Sequence, residues 1–420
     1  MKLGNGIRSI LRNGAYLAGS NWIEIILRAV YVVVITRALG AEVYGVWAYV
    51  IAAYLMVVGL ANFGFEGLVQ IAFGRDPETA RKTVQAALTT RAIVGVLAAL
   101  AFLLFVFLTE PPGHIRIAAV LAFPALFARS LTNLIRAVFV ALEKSGVYVR
   151  FSAAIRSAEV VAGTAILLAG GSIWHVLVLH SVTWLLEAGY GIVVIRRKYD
   201  LGFGVPSVQA AIPLFRKGTF LGLAEALTAW LTAGPLILLK ASEISLMTLG
   251  QIALVFQVVG MLLASTYPFL IAAFPTLSRS EAAGDTRVSY FGGAVAGVSI
   301  ALCGSAALGL YLFGEPLTVW ALGQDYRLAG QYLGPAMAVA ALILLPFGAL
   351  QVVFVRGHSW PAAASAAIGG VVLFAVFGFC IDRYDAFGAI VAAAFAWGAR
   401  AVAAFAFAVI LAAKEQVSAK

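Results

Sequence analysis

Residues 84–108 read VQAALTTRAIVGVLAALAFLLFVFL, with Arg91 the one charge in the run. From Ala92 to Leu108 no ionisable side chain interrupts it. As a helix the run extends about 37 Å, against about 30 Å for the hydrocarbon core of a bilayer. It is apolar on every face, so it lacks the alternation of a barrel strand and the polar face of a helix that lies on a soluble core. This run predicts a membrane crossing.

The rest of the chain agrees. Of 420 residues, 62% are hydrophobic and 11% charged, and mean hydropathy is +0.98. Soluble domains average about 45–50% apolar and about 25% charged. A soluble enzyme, a secreted scaffold and a disordered chain are excluded. Twelve apolar runs are long enough to span: 14–36, 43–68, 84–108, 115–141, 150–170, 173–195, 218–239, 245–276, 289–313, 328–354, 360–381 and 386–412. Lys2, Arg8 and Arg12 ahead of the first run imitate a signal peptide, but the run is long and carries Glu24 and Arg28, so it is expected to be a retained helix. Cys303 and Cys380 sit in apolar runs and form neither a disulfide framework nor a zinc spacing.

The net charge of +10 is mostly topology. Eighteen Lys and Arg residues fall on the side that holds both termini and five on the other, while Arg28, Arg91, Arg129, Arg136, Arg156 and Arg400 fall inside spans. The basic side faces the cytoplasm, so both termini are expected there, in the inner membrane. No nucleic-acid partner is needed to explain the charge. Membrane lipids are the surrounding partner, and the basic stretch 196–217 is expected to be a cytoplasmic linker or a short amphipathic segment on the inner leaflet.

Marks recur across that linker. Gly14 matches Gly218, Gly45 matches Gly250, Arg75 matches Arg279, and Glu110-Pro111 matches Glu315-Pro316, at an offset of 204 or 205. Pro124-Ala125 matches Pro335-Ala336 at 211. The expected architecture is an all-α polytopic membrane protein with a lobe over 1–195, a linker over 196–217 and a second lobe over 218–420. Six spans per half make the repeat parallel, a plan that suits alternating access around a central cavity. Prolines inside spans, such as Pro124, Pro335 and Pro346, permit bends.

Charge inside a bilayer is costly, about 2.5–3.5 kcal/mol on insertion scales, and marks function or a partner. The first half holds five of the six embedded arginines, with Glu24, Glu66, Glu159 and Glu187, while the second half has Glu225 near its start and Arg400 near its end. Arg28 and Arg129 each lie about 21 Å from the start of their helix, near mid-bilayer. Arg91, Arg136 and Arg156 lie within about 10 Å of the inner boundary, where Arg91 and Arg136 are expected to snorkel. Arg129, Thr132, Asn133 and Arg136 share one helix face. A guanidinium keeps its charge and grips phosphate or carboxylate in two places, so Arg28, Arg129, Asn133, Arg136, Arg91 and Arg156 are candidates for an anionic substrate. Local pairing is the competing reading for Glu24–Arg28 and Arg156–Glu159. Glu24, Glu66, Glu187 and Glu225 are candidates for coupling transport to H⁺ or Na⁺. No other cofactor is called for. The chain has no phosphate-loop motif, and the histidines at 114, 175, 180 and 358 form no HExxH. His175 and His180, five apart, share no helix face and read as an interface and a core histidine. A membrane glycosyltransferase would need carboxylates on large outer loops, and the longest, about 314–327, offers Glu315 and Asp325 alone.

The segment Arg37-Ala38-Leu39-Gly40-Ala41-Glu42-Val43-Tyr44-Gly45-Val46-Trp47 resembles the R-x-LG-x-x-x-YG pattern that follows the first helix of polysaccharide flippases. Asn62-Phe63-Gly64 and the basic loop from Arg75 to Lys82 are similar too. The resemblance is to the Wzx-type polysaccharide and oligosaccharide flippases of the MOP superfamily, with MATE exporters and MurJ as more distant relatives. It implies a non-enzymatic flippase that moves a polyprenyl-diphosphate-linked oligosaccharide across the cytoplasmic membrane, with glycan-assembly proteins such as a polymerase as partners. It implies that Arg28 and Arg129 hold the diphosphate or acidic sugars, with Arg91, Arg136 and Arg156 at the inner vestibule. Twelve spans rather than fourteen leave out the extra helix pair of MurJ and argue against a peptidoglycan-precursor role. A MATE-like drug or metabolite exporter is the alternative, which the arginine excess disfavours.

Overall fold

The computed structural model describes the backbone of residues 3–73, 77–282 and 290–418, and side chains for Trp22, 25–73, 78–267, 270, 277 and 290–414. The described residues are helical with no strand. Ala- and Leu-rich runs favour helix intrinsically, and hydrocarbon enforces it, since every backbone N–H and C=O must be satisfied within the segment.

Ten stretches of the described residues are long and apolar enough to cross a bilayer. Two of them are double. Helix α1 (Leu3–Asn62) runs for 60 residues but breaks at Gly40, where φ is 76° and ψ 172°. Unbroken it would reach about 90 Å, three bilayer cores. Glycine takes a positive φ without a Cβ penalty, so the Leu39-Gly40 step divides α1 into two crossings. The stretch Trp360–Lys414 likewise holds α11 (Trp360–Tyr384) and most of α12 (Gly388–Ser418), separated by a 3₁₀ turn at Asp385–Phe387. The ten stretches therefore account for the twelve expected runs.

The remaining helices are α2 (Phe65–Phe73), α3 (Pro77–Thr109), α4 (His114–Ala141), α5 (Ser145–Leu168), α6 (Ile173–Tyr199), α7 (Val208–Ala241), α8 (Leu246–Ala282), α9 (Phe291–Leu322) and α10 (Arg327–Val355). Pro316, expected to follow the ninth span as Pro111 follows the third, instead lies inside α9.

The chain forms two compact units, one of residues 1–39 and 46–229, the other of 40–45 and 230–420. In the first, Phe65, Val84, Leu88, Leu134, Ile135, Phe139 and Ile195 form an apolar core. The stretch expected as a linker is attached to it. Leu201 and Leu214 are buried in that core. Thr89 Oγ1 accepts from the Gly204 N–H at 2.9 Å and donates to the Gly204 carbonyl at 3.1 Å. Arg81 pairs with Asp200 at 2.9 Å. The second half of the stretch is already helix, because α7 begins at Val208. Leu201 and Leu214 bury apolar surface that a free linker would leave in water.

The corner between α1 and α2 turns at Phe63 (φ 47°) and Gly64 (φ 67°). Gly218 and Gly222 of α7 pack on it so closely that a Cβ at either would overlap the backbone of Phe63.

In the second unit, α1 and α8 meet at Gly45 and Gly250. A Cβ on Gly45 would strike the Leu246 carbonyl, and one on Gly250 would strike the Ala41 carbonyl. Ala41 and Leu246 are themselves 205 positions apart, as Gly45 and Gly250 are, so the two equivalent segments touch reciprocally. Gly45→Leu is expected to force the helices apart and destabilise the protein by about 1–3 kcal/mol, as overpacked cores do. Thermal unfolding in detergent measures it, and a wild-type midpoint would contradict the close crossing.

Candidate functional site

Among the described residues of the first unit, two buried polar clusters stand out. The larger joins four helices. On α6, His180, Trp184 and Glu187 are spaced four and three apart, so they share one face. On α5, Tyr148, Ser152, Arg156 and Glu159 are spaced four, four and three apart and do the same. The second arm of α1 supplies Tyr54, and α4 supplies Arg129.

Arg156 is the hub. It bonds Glu159 Oε2 at 2.5 Å and Glu187 Oε2 at 2.7 Å, and its guanidinium lies 4.0 Å from the Trp184 ring centroid. Glu187 Oε1 accepts from the hydroxyls of Tyr148 and Ser152, each at 2.8 Å. The Trp184 indole N–H donates to His180 Nε2 at 3.2 Å, which makes that nitrogen an acceptor and leaves the hydrogen on Nδ1. Nδ1–H then donates to Glu159 Oε1 at 2.7 Å. The Tyr54 hydroxyl is 3.3 Å from the same Nε2 and accepts from Arg129 Nη1 at 3.0 Å. Arg129 also lies over Trp184 at 4.9 Å and over Tyr54 at 5.9 Å. Two arginines and two glutamates balance in charge with His180 neutral. The aromatic faces add cation–π attraction, which strengthens where the cation is desolvated.

Arg129 itself is half-buried, whereas Tyr54, Glu159, His180 and Glu187 are buried. Arg156 is half-buried as well, so the network holds two guanidiniums against buried hydrogen-bonding partners. Such a fixed, charge-assisted arrangement can receive an oxyanion with little reorganisation.

The second cluster forms at the α1–α2 corner. Arg91 of α3 has 0% exposure. It bonds Asn62 Oδ1 at 2.5 Å, the Asn62 carbonyl, the Ser130 carbonyl at 3.3 Å and Glu66 Oε1 at 3.1 Å. Its guanidinium lies 5.3 Å from the Phe65 ring centroid. The expectation that Arg91 snorkels is thereby corrected: the corner at Phe63-Gly64 folds a carbonyl and a carboxylate over it. Glu225 of α7 accepts from the Gly64 N–H and faces both Glu66 and Arg91. Glu66 pairs with Arg91 and Glu225 lies within reach of its charge, and each carboxylate keeps a sealed Oε2 with no hydrogen-bond partner among the described residues.

Of the residues singled out in sequence, Arg129, Arg156 and Glu187 meet in the first cluster, and Arg91, Glu66 and Glu225 in the second. Arg156 and Glu159 pair locally, as their spacing predicts. Arg28 and Arg136 are exposed, and Asn133 is half-buried; among the described residues no hydrogen bond or ion pair joins them to either cluster, though the Arg136 charge acts on Tyr148. Thr132, on the same α4 stripe, bonds back to the Ala128 carbonyl. Glu24's side chain lies outside the described residues. Tyr54, Tyr148, Ser152, Trp184 and His180 join the cluster through contacts between helices, which spacing along the sequence does not mark. No group of histidine, cysteine or carboxylate side chains suited to a metal ion occurs among the described residues.

Solved structures share this architecture. A multidrug resistance MATE family transporter of the MOP superfamily, in an inward-facing conformation, matches with a TM-score of 0.74 at 11% identity, covering 97% of this chain and 100% of the other. A eukaryotic MATE transporter matches with a TM-score of 0.64 at 15% identity, covering 96% of each chain. A Vibrio cholerae MATE transporter matches with a TM-score of 0.61 at 13% identity, covering 98% of this chain and 97% of the other. No curated protein sequence matches. The class is thus an all-α multi-pass membrane protein with the fold seen in MATE transporters. The sequence profile described as "Polysaccharide biosynthesis protein" matches residues 10–281. The chain belongs to that family.

Proposed function

We propose that the protein is a flippase that carries a polyprenyl-diphosphate-linked oligosaccharide across the cytoplasmic membrane by alternating access. The observation that carries this reading is the pair of arginines, Arg129 and Arg156, held over one indole inside an apolar bundle of a polysaccharide-biosynthesis family member. Arg156 is paired with two carboxylates and lies over Trp184. Arg129, half-buried, meets the diphosphate or an acidic sugar. The loop charges, eighteen basic residues against five, support cytoplasmic termini. Glu66 and Glu225, both within reach of the Arg91 charge, are the carboxylates suited to take up H⁺ or Na⁺ during the cycle.

The test is glycan export in cells whose own flippase is deleted. Arg129→Gln is expected to cut export by at least tenfold at unchanged protein level, with Arg129→Lys recovering part. An ionophore that collapses the driving gradient is expected to stop wild-type export. Full export by Arg129→Gln would sink the site assignment. Extrusion of cationic dyes by the wild type, with no rescue of glycan export, would favour a MATE-like exporter instead.

A further inference from the structure

The second unit holds a cation with an environment unlike those described so far. Arg400 lies twelve residues into α12, about 18 Å along the axis and so near mid-bilayer. It is 8% exposed. Gly369 allows α11 to approach there, since a Cβ on it would meet the Arg400 Cβ at 3.2 Å. The Trp397 ring covers the guanidinium at 4.9 Å. The ionisable group facing it is the neutral Tyr267 phenol. Its Nε is sealed with no hydrogen-bond partner among the described residues.

The first unit treats its buried arginines differently. Arg91 has Glu66, and Arg156 has Glu159 and Glu187. The described acids of the second unit are Glu42, Glu243, Glu315, Asp325, Asp382 and Asp385, and all sit at or near helix ends. Glu315 is already paired with Arg327 at 2.6 Å. No hydrogen bond or ion pair to the terminal guanidinium nitrogens of Arg400 occurs among the described residues, and neither nitrogen is sealed. A desolvated guanidinium without a carboxylate is costly unless an anion joins it.

We infer that Arg400 is a second anion-binding site, in the second unit, for a phosphate or diphosphate group that reaches the middle of the bilayer. The guanidinium fork grips two phosphate oxygens, and Trp397 fixes its plane. Two sources offer that chemistry, a diphosphate headgroup in transit and a membrane phospholipid.

The experiment uses the full chain in nanodiscs of phosphatidylcholine. Geranylgeranyl diphosphate is titrated against wild type, Arg400→Gln and Arg400→Leu, with tryptophan fluorescence as readout. In parallel, phosphatidylglycerol retained through purification is quantified by mass spectrometry. Arg400→Gln is expected to weaken the diphosphate by at least tenfold. A fall in that arm alone identifies a transported diphosphate, and a fall in phosphatidylglycerol alone a lipid headgroup. No change in either overturns the site. Unfolding midpoints give a second readout. Ligand-free Arg400→Leu is expected to match or exceed wild type, because it removes a charge that lacks an internal partner. A marked drop would mean that Arg400 is a structural ion-pair member and would overturn the inference. The probe has no sugar and the readout is binding, so a failed export assay for Arg129 leaves this result independent.

Discussion

Arg91→Leu is expected to destabilise the protein by about 3–5 kcal/mol, the range for removing one partner of a buried ion pair. Arg91 is fully buried and satisfies the Asn62 side chain, two backbone carbonyls and Glu66 at once. Its loss leaves Glu66 and Glu225 facing each other with no cation between them. Either a carboxylate takes up a proton or the α1–α2 corner opens. Denaturant unfolding in detergent reads the change. The double variant Arg91→Leu/Glu66→Leu is expected to recover much of the loss, since it removes the stranded charge along with the arginine. Wild-type stability in the single variant would mean that the corner is held by Gly218 and Gly222 packing alone.

Arg156→Leu is expected to lose both export and about 3–5 kcal/mol of stability, for the same reason doubled: Glu159 and Glu187 are both buried and both depend on it. Arg156→Lys is expected to restore little. An ammonium is a point charge and cannot bridge two carboxylates while lying flat on the Trp184 ring. A Glu187→Gln change should cost less, because Tyr148 and Ser152 can still donate to its remaining oxygen. Export and unfolding measured on the same preparations separate the positioning role from simple collapse. If Arg156→Leu exports at the wild-type level, the network is not what holds Arg129 and Trp184 in place.

The fold was open to reading because hydrocarbon imposes a single local rule. Twelve apolar runs are legible in the sequence, whereas the break at Gly40 is fixed by its positive φ. What a span count misses is how far helices extend past the apolar run, as α7 does by starting at Val208, ten residues before its expected start at 218. The site was half open. Arg156 and Glu159 pair within one helix, so spacing reveals them. Glu187 reaches the same arginine from α6, and no periodicity joins two helices. The stripe of His180, Trp184 and Glu187 is periodic on α6, but the partners that make it a site come from α1, α4 and α5. Arg91 shows the limit of depth counting. Its position along α3 suggests an interfacial residue, while its burial is decided by a corner contributed by other helices.

The reciprocal touch of Gly45 and Gly250 bears on ancestry. When two equivalent positions meet each other, a single gene for a six-helix chain, assembled as a pair, would carry both sides of the contact. Any change there would strike twice. Once the halves are joined in one gene, each copy can drift alone. On the reading of the 205-residue offset as a repeat, Gly45 and Gly250 are one position met twice, and neither copy has room for a Cβ.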